Sequence, residues 1–138
     1  MGVRMGISGV IGSVGLLMAL QIAVVQAADM TLPYVVPLGS DGVQRATITL
    51  DSYAYTPKHV IVEAGKPVEL TLTSVTTITP HNFIIKELSI EQDVSAGKTV
   101  VVKFTPVQAG TFPIYCDKRL WPMPSHRDKG MEGTFEVK

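Results

Sequence analysis

The chain has few of the residues that build cross-links and polar sites. Its 138 residues include one cysteine, three histidines and one tryptophan. A single cysteine excludes an internal disulfide, so the thiol of Cys116 is buried, reactive, paired with another chain or bound to a metal. The chain also has no net charge, since its 12 basic residues balance 12 acidic ones. Because no basic face is implied, we predict no nucleic-acid partner.

Only one long apolar run is present, and it lies at the N-terminus. It extends from Met5 to Gln26, follows Arg4 and ends in Val25-Gln26-Ala27, a small-residue pattern that suits signal peptidase. We predict that residues 1–27 are a secretory signal peptide cleaved after Ala27. The alternative is an uncleaved anchor, because the run is nearly long enough to span a bilayer. Cleavage predicts a periplasmic or otherwise exported monomer without a membrane span.

The rest of the chain lacks a helical period and has the period of strands. Apolar residues alternate with polar ones in three segments: Ala46, Ile48 and Leu50; Val68, Leu70 and Leu72; Val100, Val102 and Phe104. Turns that contain glycine lie at 64–67, 96–98 and 108–110. Short strands between such turns predict an all-β protein, a β-sandwich.

The predicted sandwich occupies residues 44–138 as one domain. The chain beyond the signal is long enough for one hydrophobic core and too short for two. Residues 28–43 contain Pro33, Pro37 and the turn-forming run Gly39-Ser40-Asp41-Gly42, which predicts an N-terminal arm. The sequence leaves open whether the arm straps an edge of the sandwich or stays mobile.

Four side chains have the chemistry of a metal site. Cys116 is followed by His126 and Met131, and His81 stands upstream. One thiolate, two imidazoles and one thioether are the ligand set of a blue-copper site. Cys116 ends a segment whose alternate residues are apolar, so we expect its thiol to enter the site from the core side of a strand. Zinc is a weaker candidate, because a thioether is a poor ligand for it.

These residues and their neighbours resemble the cupredoxin family, which includes plastocyanin, azurin and the type 1 copper domains of nitrite reductases. The resemblance covers residues 44–138 and is carried by the ligand set with the motifs Val62-Glu63-Ala64-Gly65, His81-Asn82, Tyr115-Cys116 and Gly130-Met131-Glu132-Gly133. It implies a cupredoxin-like Greek-key β-sandwich with one type 1 copper ion. By this resemblance His81, Cys116 and His126 are the equatorial ligands. Met131 is the axial ligand, and Asn82 braces the cysteine loop.

The loop between two of the candidate ligands departs from the family pattern. Nine residues separate Cys116 from His126, which is more than in plastocyanin or azurin and closer to the nitrite reductase site. A longer loop affects the copper geometry more than the ligand identities, so we expect blue or green copper. Met123 lies inside the loop and is the rival axial ligand, but between two prolines we predict an exposed or partly exposed packing role for it. His59 is predicted to be structural.

The same loop carries a candidate partner surface. Leu120 and Trp121 are expected either to form an apolar docking patch or to cover the copper from water. The basic residues of the loop are Lys118, Arg119, Arg127 and Lys129, against Asp117 and Asp128. This local charge favours an acidic partner, although it is also compatible with a solvated face.

The function predicted from these features is one-electron transfer between redox partner proteins. The alternative is a periplasmic copper-binding protein for copper tolerance or delivery. Beyond the four ligands, residues 28–138 offer only Met30, Met123 and His59 as soft or imidazole donors, and this scatter favours the carrier modestly. An enzyme is not predicted, because catalytic coppers need more histidines than the three present.

Overall fold

The computed structural model describes Gly2 and residues 32–138. Apart from Gly2, the predicted signal peptide lies outside the described residues, as do residues 28–31 of the predicted arm. The strands are β1 (Tyr34–Val35), β2 (Gln44–Asp51), β3 (Ala54–Thr56), β4 (His59–Val62), β5 (Val68–Ser74), β6 (His81–Ile85), β7 (Ile90–Val94), β8 (Thr99–Phe104), β9 (Gly110–Tyr115) and β10 (Glu132–Val137). One 3-10 turn, Lys86–Leu88, follows β6. Within the described part of the chain, no helix is long and apolar enough to cross a membrane.

The strands form two sheets that enclose one core. One sheet has six strands in the order β1-β4-β10-β9-β6-β7, and the other has four in the order β3-β2-β5-β8. Parallel pairs, such as β2 with β5, lie beside antiparallel ones, such as β9 with β10. The all-β sandwich predicted from the sequence is confirmed.

The alternation in the sequence correctly identifies the inward faces. Ile48, Leu50, Leu70 and Leu72 are fully buried, whereas the polar residues between them face outward. The alternate residues of β8, including Phe104, are only partly buried against the core. This difference arises because β8 is an edge strand, so that neighbours cover it on one side only.

The described part of the arm straps an edge of the six-stranded sheet. Tyr34 and Val35 pair in parallel with Val60 and Ile61 of β4. The next residue, Val36, is buried, and its N–H donates to the carbonyl of Ile61 at 2.9 Å. Of the two alternatives that the sequence leaves open for the arm, the structure therefore shows attachment for these residues.

The topology brings three chain segments to one end of the six-stranded sheet. β6 begins at His81, β9 ends one residue before Cys116, and β10 begins one residue after Met131. β9 pairs with β10 through Tyr115 and Glu132, and with β6 through Tyr115 and Ile84. The ends of three hydrogen-bonded strands thus meet where the candidate ligands lie.

A buried side-chain amide bonds to the turn between β4 and β5, at the end of the sandwich opposite the candidate ligands. Gln44 is fully buried, and its Nε2 donates to the carbonyl of Glu63 at 3.0 Å while its Oε1 accepts the N–H of Glu63 at 2.7 Å. Its own N–H donates to the carbonyl of Pro67 at 2.9 Å. The side chain and the backbone of Gln44 therefore both bond to the turn between β4 and β5.

Replacing Gln44 tests this clamp. Gln44→Leu keeps a similar volume but removes both side-chain hydrogen bonds to the backbone of Glu63, so we expect a loss of about 1–3 kcal/mol of unfolding free energy. Urea denaturation measures the loss. Thr47→Leu, on the exposed face of the same strand, is the control and is expected to change stability by less than about 0.5 kcal/mol. Equal midpoints for Gln44→Leu and the control would show that the clamp contributes little.

Candidate metal centre

Three of the four candidate ligands form a compact cluster. The ligand atoms of His81, Cys116 and His126 all lie within 4.8 Å of one another. The Nδ1 atoms of the two histidines are 3.2 Å apart, and Cys116 Sγ lies 3.4 Å from His126 Nδ1. His81 and Cys116 are fully buried, whereas His126 retains 7% exposure. His126 is therefore the member of the cluster that is nearest to solvent.

Met131 lies beside this cluster in the chain and in the hydrogen-bond network. It is fully buried, its N–H donates to the carbonyl of His126 at 3.0 Å, and its carbonyl accepts the N–H of Cys116 at 3.2 Å. Gly130, with a φ of +96°, provides the left-handed turn that leads into Met131. By contrast, the rival Met123 is 51% exposed. These placements favour Met131, and its axial role stays a prediction.

Asn82 joins the two segments that carry the ligands, as the sequence predicts. Its Nδ2 donates to Asp117 Oδ1 at 2.7 Å, and its Oδ1 accepts the N–H of Asp117 at 3.1 Å. Its backbone N–H donates to Cys116 Sγ at 3.3 Å. Its carbonyl accepts the hydroxyl of the buried Tyr55 at 2.6 Å. Asn82 is thus bonded to the cysteine, to its neighbour and to the core.

Burial sets the protonation states of the cluster without metal. Burial, followed by the neighbouring His126, lowers the pKa of His81 from 6.5 to about 4, and Asp51 opposes the shift. Burial and then the charge of Lys129 lower the pKa of His126. Burial also raises the pKa of the Cys116 thiol, while N–H groups of Asn82 and Lys118 act in the opposite direction. Both imidazoles are therefore held neutral, which is the form that binds metal.

The donor set and its surroundings fit a copper ion. A soft sulfur and two imidazole nitrogens face one another inside the protein. The Nδ1 atoms of the two histidines face each other at 3.2 Å, and His81 Nε2 is buried without a partner among the described residues. Thiolate and imidazole donors together suit copper.

Tyr53 and Lys129, which the sequence does not link to the metal site, lie beside His126. The ring of Tyr53 lies against the imidazole with centroids 4.8 Å apart. Lys129 Nζ donates to Tyr53 Oη at 3.0 Å and lies 4.4 Å from the centre of the tyrosine ring. Tyr53 stands between β2 and β3, far from the loop in sequence. No sequence signal links it to the site, because the contact exists only after the sheets have packed.

A cleft of about 410 Å³ opens beside His126. Its walls include Ile78, Leu120 and Met123, and Tyr53 and Lys129 lie at the same cleft. Trp121, on the adjacent loop, is 79% exposed. The predicted alternative in which Trp121 covers the copper from water is therefore not seen, and the apolar residues of the loop face solvent.

The comparisons with known proteins agree with this geometry. The family described as "Cupredoxin-like domain" matches residues 15–131. No curated protein matches the chain in sequence.

Solved structures share the fold at low sequence identity. The metal-binding domain of the Cu(I)-exporting P-type ATPase CopA of Streptococcus pneumoniae, with Cu(I), is 23% identical with a TM-score of 0.60, over 79% of this chain and 98% of that one. Auracyanin from Roseiflexus castenholzii, in the dithionite-reduced form, is 19% identical with a TM-score of 0.56, over 72% and 99%. The periplasmic domain of cytochrome oxidase subunit II of Bradyrhizobium japonicum is 13% identical with a TM-score of 0.54, over 68% and 83%. At these identities, the structures show a common fold.

The family match and the cluster of His81, Cys116 and His126 together support one copper ion as the cofactor, as predicted from the sequence.

The lowered pKa of His81 predicts how the stability of the metal-free protein depends on pH. Below about pH 6.5 the unfolded chain protonates this imidazole, whereas the folded protein does not until about pH 4. The unfolded state then binds more protons, so the unfolding free energy falls by roughly 3 kcal/mol as the pH drops through this window. His126, whose pKa is also lowered, adds to the fall.

Urea denaturation of the metal-free protein between pH 7.5 and pH 4 measures this dependence. His81→Gln removes the titrating group, so the variant is expected to lose less stability across the same window. If both proteins lose stability in parallel, the folded protein protonates His81 as readily as the unfolded chain does.

Proposed function

Because the chain belongs to the cupredoxin-like domain family, we propose that it is an exported one-electron carrier that works between redox partner proteins. The observation that carries the proposal is the buried cluster of one thiol and two imidazoles, within 4.8 Å of one another, at one end of the sandwich. A bound copper ion accepts and releases one electron at such a site. Export follows from the predicted signal in residues 1–27.

In this proposal the four predicted ligands have distinct roles. His81, Cys116 and His126 would hold the ion, and Met131 would be a fourth, weaker donor. The hydrogen bonds of Asn82 to Asp117 and Cys116 keep the two ligand segments at a fixed separation. Fixed ligands favour electron transfer, because a site that moves little between oxidation states needs little reorganisation.

The surface near His126 supports contact with a redox partner. His126 has some exposure while the other two clustered ligands have none, so its edge is the shortest exit from the cluster to solvent. Ile78, Leu120 and Trp121 expose apolar surface around it. A partner that covers this face excludes water and comes within close range of the imidazole.

Copper handling is the competing function. Whether the protein retains its copper during redox cycling distinguishes it from electron transfer. The copper-loaded protein is cycled between oxidised and reduced forms in the presence of a strong Cu(I) chelator. An electron carrier keeps its copper over many cycles. Transfer of the copper to the chelator at the first reduction would contradict the carrier and favour tolerance or delivery.

Cys116→Ser tests the thiolate ligand. The wild-type protein loaded with Cu(II) is expected to show an intense sulfur-to-copper absorption band and a type 1 paramagnetic resonance signal. The serine variant is expected to lose the band entirely, because a hydroxyl is a poor, protonated donor at neutral pH. A variant that remained coloured would refute the assignment of Cys116.

Met131→Leu tests the axial ligand. We expect the variant to keep copper and its visible band, while the reduction potential rises, because the loss of a weak axial donor destabilises Cu(II) more than Cu(I). Voltammetry measures the change. Met123→Leu is the matched control, and its potential is expected to stay close to that of the wild type. If Met123→Leu shifts the potential and Met131→Leu does not, the two methionines have been assigned the wrong way round.

A further inference from the structure

We propose that Lys129 and Tyr53 form a cationic cap on His126 that orients the imidazole and raises the reduction potential of the copper. The inference rests on the proposed function, since it concerns the same copper site. It adds two positioning residues that the resemblance to the family does not assign.

Two contacts define the cap: that of Tyr53 with His126 and that of Lys129 with Tyr53. The tyrosine ring lies against the imidazole at 4.8 Å between centroids, tilted by 58°. On the tyrosine, the ammonium of Lys129 donates to Oη at 3.0 Å and lies 4.4 Å from the ring centre. A full positive charge and a predicted ligand therefore contact the same aromatic ring.

The backbone keeps Lys129 close to His126. The N–H of Lys129 donates to the carbonyl of His126 at 3.1 Å and to that of Ser125 at 3.2 Å. Tyr53 comes from the connection between β2 and β3, so the cap ties the ligand loop to the four-stranded sheet. Both side chains are partly buried, which limits the positions that the ammonium can occupy.

The charge of this ammonium is not neutralised locally. Elsewhere on the loop, Lys118 pairs with Asp93 at 2.6 Å, and Arg127 pairs with Glu132. Among the described residues, no carboxylate lies within salt-bridge distance of Lys129 Nζ, whose polar contact is the neutral hydroxyl of Tyr53. The apolar wall of the cleft weakens screening by water.

An uncompensated cation near the copper acts differently on the two oxidation states. Cu(II) carries one more positive charge than Cu(I), so repulsion by Lys129 destabilises Cu(II) more. The cap therefore favours the reduced state. The second effect concerns orientation. The ring of Tyr53 lies against the imidazole of His126 and restricts its rotation.

The test measures the reduction potential of copper-loaded variants. Lys129→Met keeps most of the aliphatic stem and removes the charge. We therefore expect the ratio of the Cu(II) affinity to the Cu(I) affinity to rise several-fold and the reduction potential to fall. Lys129→Arg keeps the charge and is expected to restore the potential. Tyr53→Phe keeps the ring contact and removes the hydroxyl that anchors the ammonium, so we expect a smaller fall.

Lys66→Met is the matched control. Lys66 pairs with Glu63 in the turn between β4 and β5, at the opposite end of the sandwich, and its loss is expected to leave the potential unchanged. In the metal-free protein, nuclear Overhauser contacts between the ring protons of Tyr53 and His126 verify the cap without copper.

The outcomes separate this inference from the proposed function. A wild-type protein with a type 1 spectrum, but with the same potential as Lys129→Met, overturns the cap and leaves the carrier standing. A Lys129→Arg potential as low as that of Lys129→Met also overturns it, because the charge is then not the cause. A wild-type protein without the sulfur-to-copper band overturns both.

Discussion

The structure of the candidate site depends on holding two distant chain segments at a fixed separation, and Asn82 provides that connection. Its side chain makes two hydrogen bonds to Asp117, and its N–H reaches the sulfur of Cys116. Its carbonyl is held in turn by the hydroxyl of Tyr55, which is buried in the core. Because every one of these polar groups has a partner, the network resists rearrangement more than separate bonds would. The residue next to a candidate ligand thus couples the core of the sandwich to the geometry of the site.

The same burial that orders the cluster also prepares it for metal. Removal from water favours neutral groups, which lowers the pKa values of His81 and His126 and raises that of Cys116. The imidazoles are therefore already in the form that binds a metal, and only the thiol has to lose a proton. The N–H of Asn82 that points at the sulfur reduces the cost of this step. Metal binding and the release of one proton are coupled at this site, so alkaline pH favours loading.

The sequence predicts the parts of this structure that are determined locally. Alternation identifies the inward faces of β2 and β5, and a single cysteine among few histidines limits the choice of ligands to a small set. The contacts of Gln44 with Glu63 and of Tyr53 with His126 were not predictable in this way. Each joins residues from different strands or loops, and neither produces a periodic or spacing signal. The sequence leaves the parallel pairing of β1 with β4 open for the same reason, because short, proline-flanked segments pair only where an edge is available.

In the long ligand loop, the residues that position the ligands are different from those that form the exposed surface. Its ends are fixed by backbone hydrogen bonds, from Cys116 to Met131, from Met131 to His126 and from His126 to Lys118. Its middle, around Trp121, makes few such bonds and is exposed. A substitution in the middle therefore changes the exposed surface of the loop without moving the donor atoms. In a short loop the same residues have to turn the chain and form this surface, so the extra length lets the surface vary while the site stays rigid.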